Sequence, residues 1–193
     1  MSADRPVVGL VCCAAGGVES VREGFVEPAL SRGWRVAVTL TPTAATWFQA
    51  TGETDRLAAV TGLPVRSERR LPGVERPHPP ASCWVVAPAT ANAVANLALG
   101  LTPNQALTQV CEALGARQLP VIVFPRVNAG HAGQPAWDDH LTALRKVGVH
   151  LIYGADVWPL DPPRPDPPAR ELPWPAILAA TAAAVGGDRR RPD

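Results

Sequence analysis

The sequence carries almost no net charge: 18 Lys and Arg stand against 17 Asp and Glu, leaving +1. It therefore exerts no general attraction on nucleic acid or acidic surfaces. No apolar run is long enough to span a membrane. Cys12, Cys13, Cys83 and Cys111 form no CxxC pair and show no metal-ligand spacing, so no metal site is expected. Unpaired thiols in a reducing cytoplasm account for all four. The fingerprint GxGxxG is missing after the first apolar run, which continues CCAAGGVES, and GxxxxGK[ST] is missing throughout. These absences disfavour a nicotinamide dinucleotide and a nucleoside triphosphate. A mononucleotide with a single phosphate remains compatible. No internal repeat is present, and the N-terminus reads as the approach to a first strand rather than as a signal peptide.

What is present is a chain of 193 residues, 47% apolar, which suits one domain with a substantial core. Solid apolar runs alternate with helical patterns. Strands are expected at VVGLVC (7–12), WRVAVTL (34–40), 83–87, PVIVF (120–124) and VHLIY (149–153), with a short one at 63–66. Helices are expected over 19–30, kinked at Pro28, then after Thr41-Pro42, over 90–99, over 104–114 ending at Gly115, over 136–147 and over 177–185. On the helix at 136–147, Leu141, Leu144 and Val147 share one face. Alternation with buried strands predicts a doubly wound α/β fold, Rossmann-like or flavodoxin-like, with helices on both faces of a parallel sheet. The 22 prolines cluster in RPHPP (76–80), read as a loop, and in DVWPLDPPRPDPPARELPWP (156–175), read as an extended polyproline-like arm. The expected division is a domain over 1–154, then the Pro-rich arm, a short helix and a basic tail over 155–193.

In a doubly wound sheet, ligands lie beyond the carboxyl ends of the strands. The loops there are 13–20, 41–46, 87–92 and 125–134. Thr41, Thr43 and Thr90 open helices, whose free N–H groups and positive dipole ends suit a phosphate. Ordinary capping explains any one such hydroxyl equally well; two loops of this kind at adjacent strand ends point to an anion site. The small Ala14, Ala15, Ala87, Ala89 and Ala91, together with Pro88, would let a ligand approach the backbone closely.

The stretch APATANAVANLALGLTPNQAL (87–107) resembles the signature of the FMN-binding flavoprotein family that includes phosphopantothenoylcysteine decarboxylase and the lantibiotic-type peptidyl-cysteine decarboxylases. The first half of the A-P-A-[ST]-A-N-T pattern is kept through Asn92, with Ala93 in place of the last Thr. In the second half Gly100 and Asn104 match, while Pro103 and Gln105 depart. VAVTLTPTAATWF (36–48) is similar to the family's strand and T-x-[ST]-A-x-x-F sequel, and the segment beginning VIVFPRVNAGHAG resembles its P-x-M-N-x-x-M-W region. The resemblance covers residues 6–154.

It implies FMN as cofactor, with Thr41, Thr43 and Thr90 near the phosphate, and Asn92 by the ribityl chain, flavin or substrate. Asn104 falls with the cofactor-binding set. Asn128 would contact substrate and share in catalysis. A homo-oligomer, trimer or dodecamer, is implied too. So is oxidation of a cysteine-derived thiol, which leaves an electron sink beside the carboxylate so that carbon dioxide departs. A histidine ahead of the PATAN stretch would act as base; here only His78 qualifies, and it also reads as a plain loop histidine between prolines. His131 falls where a Met is expected, either as a substitute base and substrate contact or as an exposed side chain. Arg126 could pair with a substrate carboxylate or be an ordinary surface arginine. Trp158 and Trp174 could cover a neighbour's flavin pocket or tack the arm to its own body. The expected function is oxidative decarboxylation of a cysteine-containing small molecule or peptide C-terminus. The alternative is an FMN-binding redox or regulatory partner without that activity.

Overall fold

The computed structural model describes residues 5–163 and 170–187. The middle of the Pro-rich arm (164–169) and the basic tail (188–193), both singled out above, lie outside the described residues. Five strands, β1 (Val7–Cys12), β2 (Arg35–Leu40), β3 (Cys83–Ala89), β4 (Val121–Pro125) and β5 (His150–Leu151), form one all-parallel sheet in the order β2-β1-β3-β4-β5. The helices are α1 (Glu27–Ser31), α2 (Pro42–Thr51), α3 (Glu53–Thr61), α4 (Ala91–Leu99), α5 (Gln105–Ala116), α6 (Ala129–Ala132), α7 (Trp137–Lys146) and α8 (Trp174–Gly187).

Side chains alternate across a strand, so solid apolar runs feed two cores at once. Val8, Leu10, Cys12, Val36, Val38, Val85, Ile122 and Phe124 face one core with Phe25, Val26 and Ala29, and with Ile177 and Leu178 of α8. Val11, Val86, Val121 and Val123 face the other, against Val94 of α4, Val110 of α5 and Leu141 and Leu144 of α7. This is the doubly wound fold that the alternation predicts. The arm's tryptophans pack on their own body: Trp158 meets Phe124 edge-on at 5.8 Å, and Trp174 lies 6.4 Å from Phe25.

Several boundaries differ from the sequence expectation, each for a physical reason. Residues 63–66 form no strand; Arg66 makes a single bridge to Thr39 on the outer edge of β2. The helix expected over 19–30 is not uniform: a π-helical stretch (Arg22–Val26) runs directly into α1, and Pro28 falls in the first turn of α1. The helix at 104–114 runs through Gly115 to Ala116, and Arg117 takes the left-handed cap with φ 54°. β5 keeps only His150 and Leu151 of the five residues expected. On α7, Val147 falls outside the helix and is exposed, and Trp137 supplies the third buried contact. α8 starts three residues earlier than expected, at Trp174, with Pro175 accommodated in its first turn.

Candidate functional site

Parallel pairing brings the carboxyl ends of β1 to β4 to one edge of the sheet. Between β1 and β3 the direction of winding reverses, and this switch point is where an open α/β sheet leaves a crevice. Backbone hydrogen bonds lace the loops there together. Cys13 N–H donates to the Pro88 carbonyl (3.1 Å), Thr41 N–H to Cys12 (3.0 Å) and Arg126 N–H to Ala89 (2.8 Å). The loops holding Ala14 and Ala15, Thr41 and Thr43, Ala87 to Asn92, and Arg126 to Asn128 therefore form one continuous rim. β3 itself bulges between Val86 and Ala89, and Ala87–Pro88 is a cis peptide.

The two threonine-led helices begin differently. The Thr90 hydroxyl accepts from Ala93 N–H (3.3 Å) and so caps α4. Thr41 is extended ahead of Pro42, but its side chain makes no cap bond to α2. The amides of Thr43 and Ala44 are thus left without a capping oxygen, beside the half-buried Thr41 hydroxyl and the exposed Thr43 hydroxyl. An oxyanion is what such a helix start accepts. Gly17, left-handed at φ 95°, turns the first loop away, and a Cβ on neighbouring Gly16 would meet nothing within 4 Å.

Cys13 lies under this rim. Burial pushes its thiol up to about 11, against the pull of the Thr90 N–H and hydroxyl, so it stays protonated at neutral pH. Asn92 is exposed on the first turn of α4, where its carbonyl and Oδ1 both accept from Asn96 Nδ2 (2.7 and 3.1 Å). Asn104 spends its side chain capping α5, accepting from Leu107 N–H at 3.0 Å. Asn128 likewise caps α6 through His131 N–H (2.9 Å), and His131 itself is exposed. His78 is not brought to the rim. Its Nε2 lies 2.6 Å from the Pro64 carbonyl, on the segment that flanks the outer edge of β2. Burial lowers its pKa; the Pro64 contact opposes that shift.

Arg126 follows β4 directly and is far from an ordinary surface arginine. Its guanidinium lies 4.8 Å from the centroid of the Trp158 ring, and Arg170 lies 3.7 Å from the same centroid. Asp161 stands between the two cations, 3.8 Å from Arg126 and 3.5 Å from Arg170. The Asp161 carbonyl also accepts from Ala129 N–H at 2.8 Å, so the arm is pinned across residues 126–129. Sequence reasoning missed Asp161 and Arg170. They sit in a proline-rich stretch with no periodicity that could announce the contacts of Asp161 with Arg126 and Ala129, 35 and 32 positions back in the chain. A cleft of about 240 Å³ opens outside β2, between Leu40, Ala45, Asp55 and Arg66, and is therefore displaced from the β1–β3 switch point. Among the described residues no three His, Cys, Asp or Glu side chains converge as metal ligands, and no helix is long and apolar enough to cross a membrane.

A family model described as Flavoprotein matches residues 4–183. Among solved structures, the chain is similar to the FMN-dependent cysteine decarboxylase SpaF, with TM-score 0.67 and 20% identity over 97% of this chain and 98% of that one. It is similar to the FMN-dependent cysteine decarboxylase TvaF from thioviridamide biosynthesis, with TM-score 0.64 and 23% identity over 94% and 98%. MrsD from Bacillus sp. HIL-Y85/54728 aligns with TM-score 0.62 and 20% identity over 91% and 94%. None of the curated proteins compared matches the sequence.

Proposed function

Because the chain belongs to the flavoprotein family, we propose that it binds FMN at the rim between β1 and β3. There it would catalyse oxidative decarboxylation of a peptide C-terminal cysteine or a cysteine-containing small molecule. The observation that carries the reading is the uncapped start of α2 on that rim, tied to the end of β1 through Thr41 N–H: hydroxyls and amides are left there without a capping side chain. The donor set fits a phosphate monoester, held by Thr43 and Ala44 N–H with the Thr41 and Thr43 hydroxyls. The small, half-buried Ala14 and Ala91 would leave room for a flat ring, with Thr90, Asn92 and Asn104 around it, while Ala15, Ala87, Pro88 and Ala89 are buried beneath. Bound FMN supplies a two-electron oxidation, and the substrate loses carbon dioxide and two hydrogens.

The protein's own contribution is orientation and a proton acceptor, His78, which lies off its own chain's rim and would therefore serve the flavin of a neighbouring subunit. A ring nitrogen facing a carbonyl must carry the hydrogen, so His78 Nε2–H donates to Pro64 and Nδ1 is left as the acceptor. This neutral tautomer is the form a base requires. Asn128 and Arg126 face the substrate side, with His131 beyond them. The reading also expects a trimer or dodecamer, measurable by light scattering, with the flavin at subunit contacts. Protonated, unpaired thiols suit a reducing cytoplasm.

A second reading, an FMN-binding partner without decarboxylase activity, is favoured by the arm's hold on residues 126–129. Two measurements decide. A flavin absorption spectrum, with free FMN released on denaturation, is expected for both readings; a colourless, folded protein that ignores added FMN removes both. Mass spectrometry of cysteine-terminated peptides, scored for loss of carbon dioxide and two hydrogens, then separates enzyme from partner.

A further inference from the structure

The cluster at the end of β4 has more hydrogen-bond donors than its own residues can use. Trp158 is 3% exposed, yet its indole N–H has no acceptor among the described residues. The buried Arg126 Nε has none either. Leaving a buried donor unpaired costs about 1–3 kcal/mol, and here two such donors belong to side chains in direct contact. Asp161 does not resolve the shortfall. Its carboxylate lies 3.8 and 3.5 Å from the two guanidiniums, beyond the roughly 2.7–2.9 Å of a charge-assisted bond. Arg170 also donates to the Pro159 carbonyl at 2.6 Å, so the shortfall falls on Arg126 and Trp158, while the two cations share one loosely held anion. The cluster is one negative charge and two acceptors short.

A planar oxyanion supplies both, and the guanidinium fork matches a carboxylate. The position ties this deficit to the cofactor loop: Arg126 donates its N–H to Ala89, one residue before Thr90. We infer that Arg126 and Trp158 form a subsite for a side-chain carboxylate of the substrate, distinct from the carboxylate that is lost. Gripping the departing group would stabilise the ground state more than the transition state, in which that charge moves away, and would slow the reaction. An acidic neighbour of the reacting cysteine meets no such objection. Asp161 is the internal competitor that keeps the two cations from repelling while the subsite is empty. The inference rests on the peptide-decarboxylase reading for the identity of its ligand.

The test is calorimetric titration of the protein, supplied with FMN, against tetrapeptides ending in serine as an inert stand-in for cysteine. Each carries either Asp or Asn at one of the three preceding positions. At one position Asp is expected to bind about tenfold more tightly than Asn, the value of one charge-assisted hydrogen bond. Arg126→Gln should erase that preference, and Arg126→Lys should restore part of it. Trp158→Phe, which keeps the ring and removes the N–H, should reduce it. Asp161→Asn should tighten binding of the Asp peptide. If no position discriminates, or if the preference survives Arg126→Gln, the subsite does not exist. Should Arg126→Gln fail to fold, Trp158→Phe decides: an unchanged preference there overturns the proposal. A protein that prefers the Asp peptide but never releases carbon dioxide from its cysteine counterpart sinks the decarboxylase reading alone. One that decarboxylates without charge preference sinks only the subsite.

Discussion

Trp174 lies against the bare backbone of Gly24: a Cβ added there would come within 2.0 Å of the indole. The same indole donates its N–H to the Ser20 hydroxyl at 2.9 Å. The first residue of α8 is thereby fixed on the π-helical stretch that precedes α1, 150 positions earlier in the chain.

That contact predicts a graded series. Gly24→Ala should destabilise by about 1–3 kcal/mol through overpacking. Trp174→Ala should cost about 3–5 kcal/mol. Trp174→Phe should cost less, since it keeps most of the apolar contact and loses the hydrogen bond to Ser20, worth about 1 kcal/mol. Urea unfolding midpoints check the order, and a neutral Gly24→Ala would show that the indole does not pack there.

The two threonine-led helices should separate stability from ligand binding. Thr90→Val removes the cap on α4 and is expected to cost about 1 kcal/mol. Thr41→Val removes a hydroxyl that makes no cap bond, so stability should stay within about 0.5 kcal/mol while FMN affinity falls. Thermal melts with and without FMN measure both effects. Equal destabilisation by the two variants would contradict the difference between the helix starts.

Stability should fall on the alkaline side. Burial raises the Cys13 thiol from 9.0 to about 11 and Cys83 to about 12, and it raises Cys12 as well. The native state therefore holds these protons after the unfolded chain has released them. With fewer protons bound when unfolded, the free energy of unfolding decreases as pH rises. The contribution of these thiols is fully present below about pH 9 and is lost as pH climbs through their native values. The slope is at most about 1.4 kcal/mol per thiol per pH unit. Urea midpoints at two alkaline pH values measure it, and Cys83→Ser should flatten the curve.

His78→Ala should leave FMN bound, because the ring lies on the outer edge of β2 rather than on the rim. If His78 is the base, turnover should drop about 100-fold or more. Full activity in a flavin-loaded variant would remove it from the mechanism.

Much of the fold was legible because burial on both faces of a parallel sheet writes itself locally. Val7–Cys12 is apolar on both parities, and no half-exposed strand or amphipathic helix reads that way; Arg35–Leu40 is buried from Val36 on, with Thr39 its one buried polar residue. The small-residue stretch after Val86 differs from the loop expected at 87–92: Ala87 to Ala89 continue β3 and are buried, and the chain reaches the surface only from Thr90. Boundaries set by contacts were not legible. Arg117 rather than Gly115 closes α5, and β5 shrinks to two residues, because hydrogen-bond partners on other elements decide where a pattern stops.

The sequence by itself determined where the five strands of the sheet and most of the longer helices lie, since period and side-chain size act over a few residues, though it also read a strand at 63–66 where only a single bridge forms. Only the tertiary structure decided that β1 lies between β2 and β3, that Cys13 is laced to Pro88, and that Asp161 folds back over Arg126. Those are choices of partner between distant positions. They are made by mutual packing and by the need to satisfy buried polar groups, and neither leaves a local periodic mark in the chain.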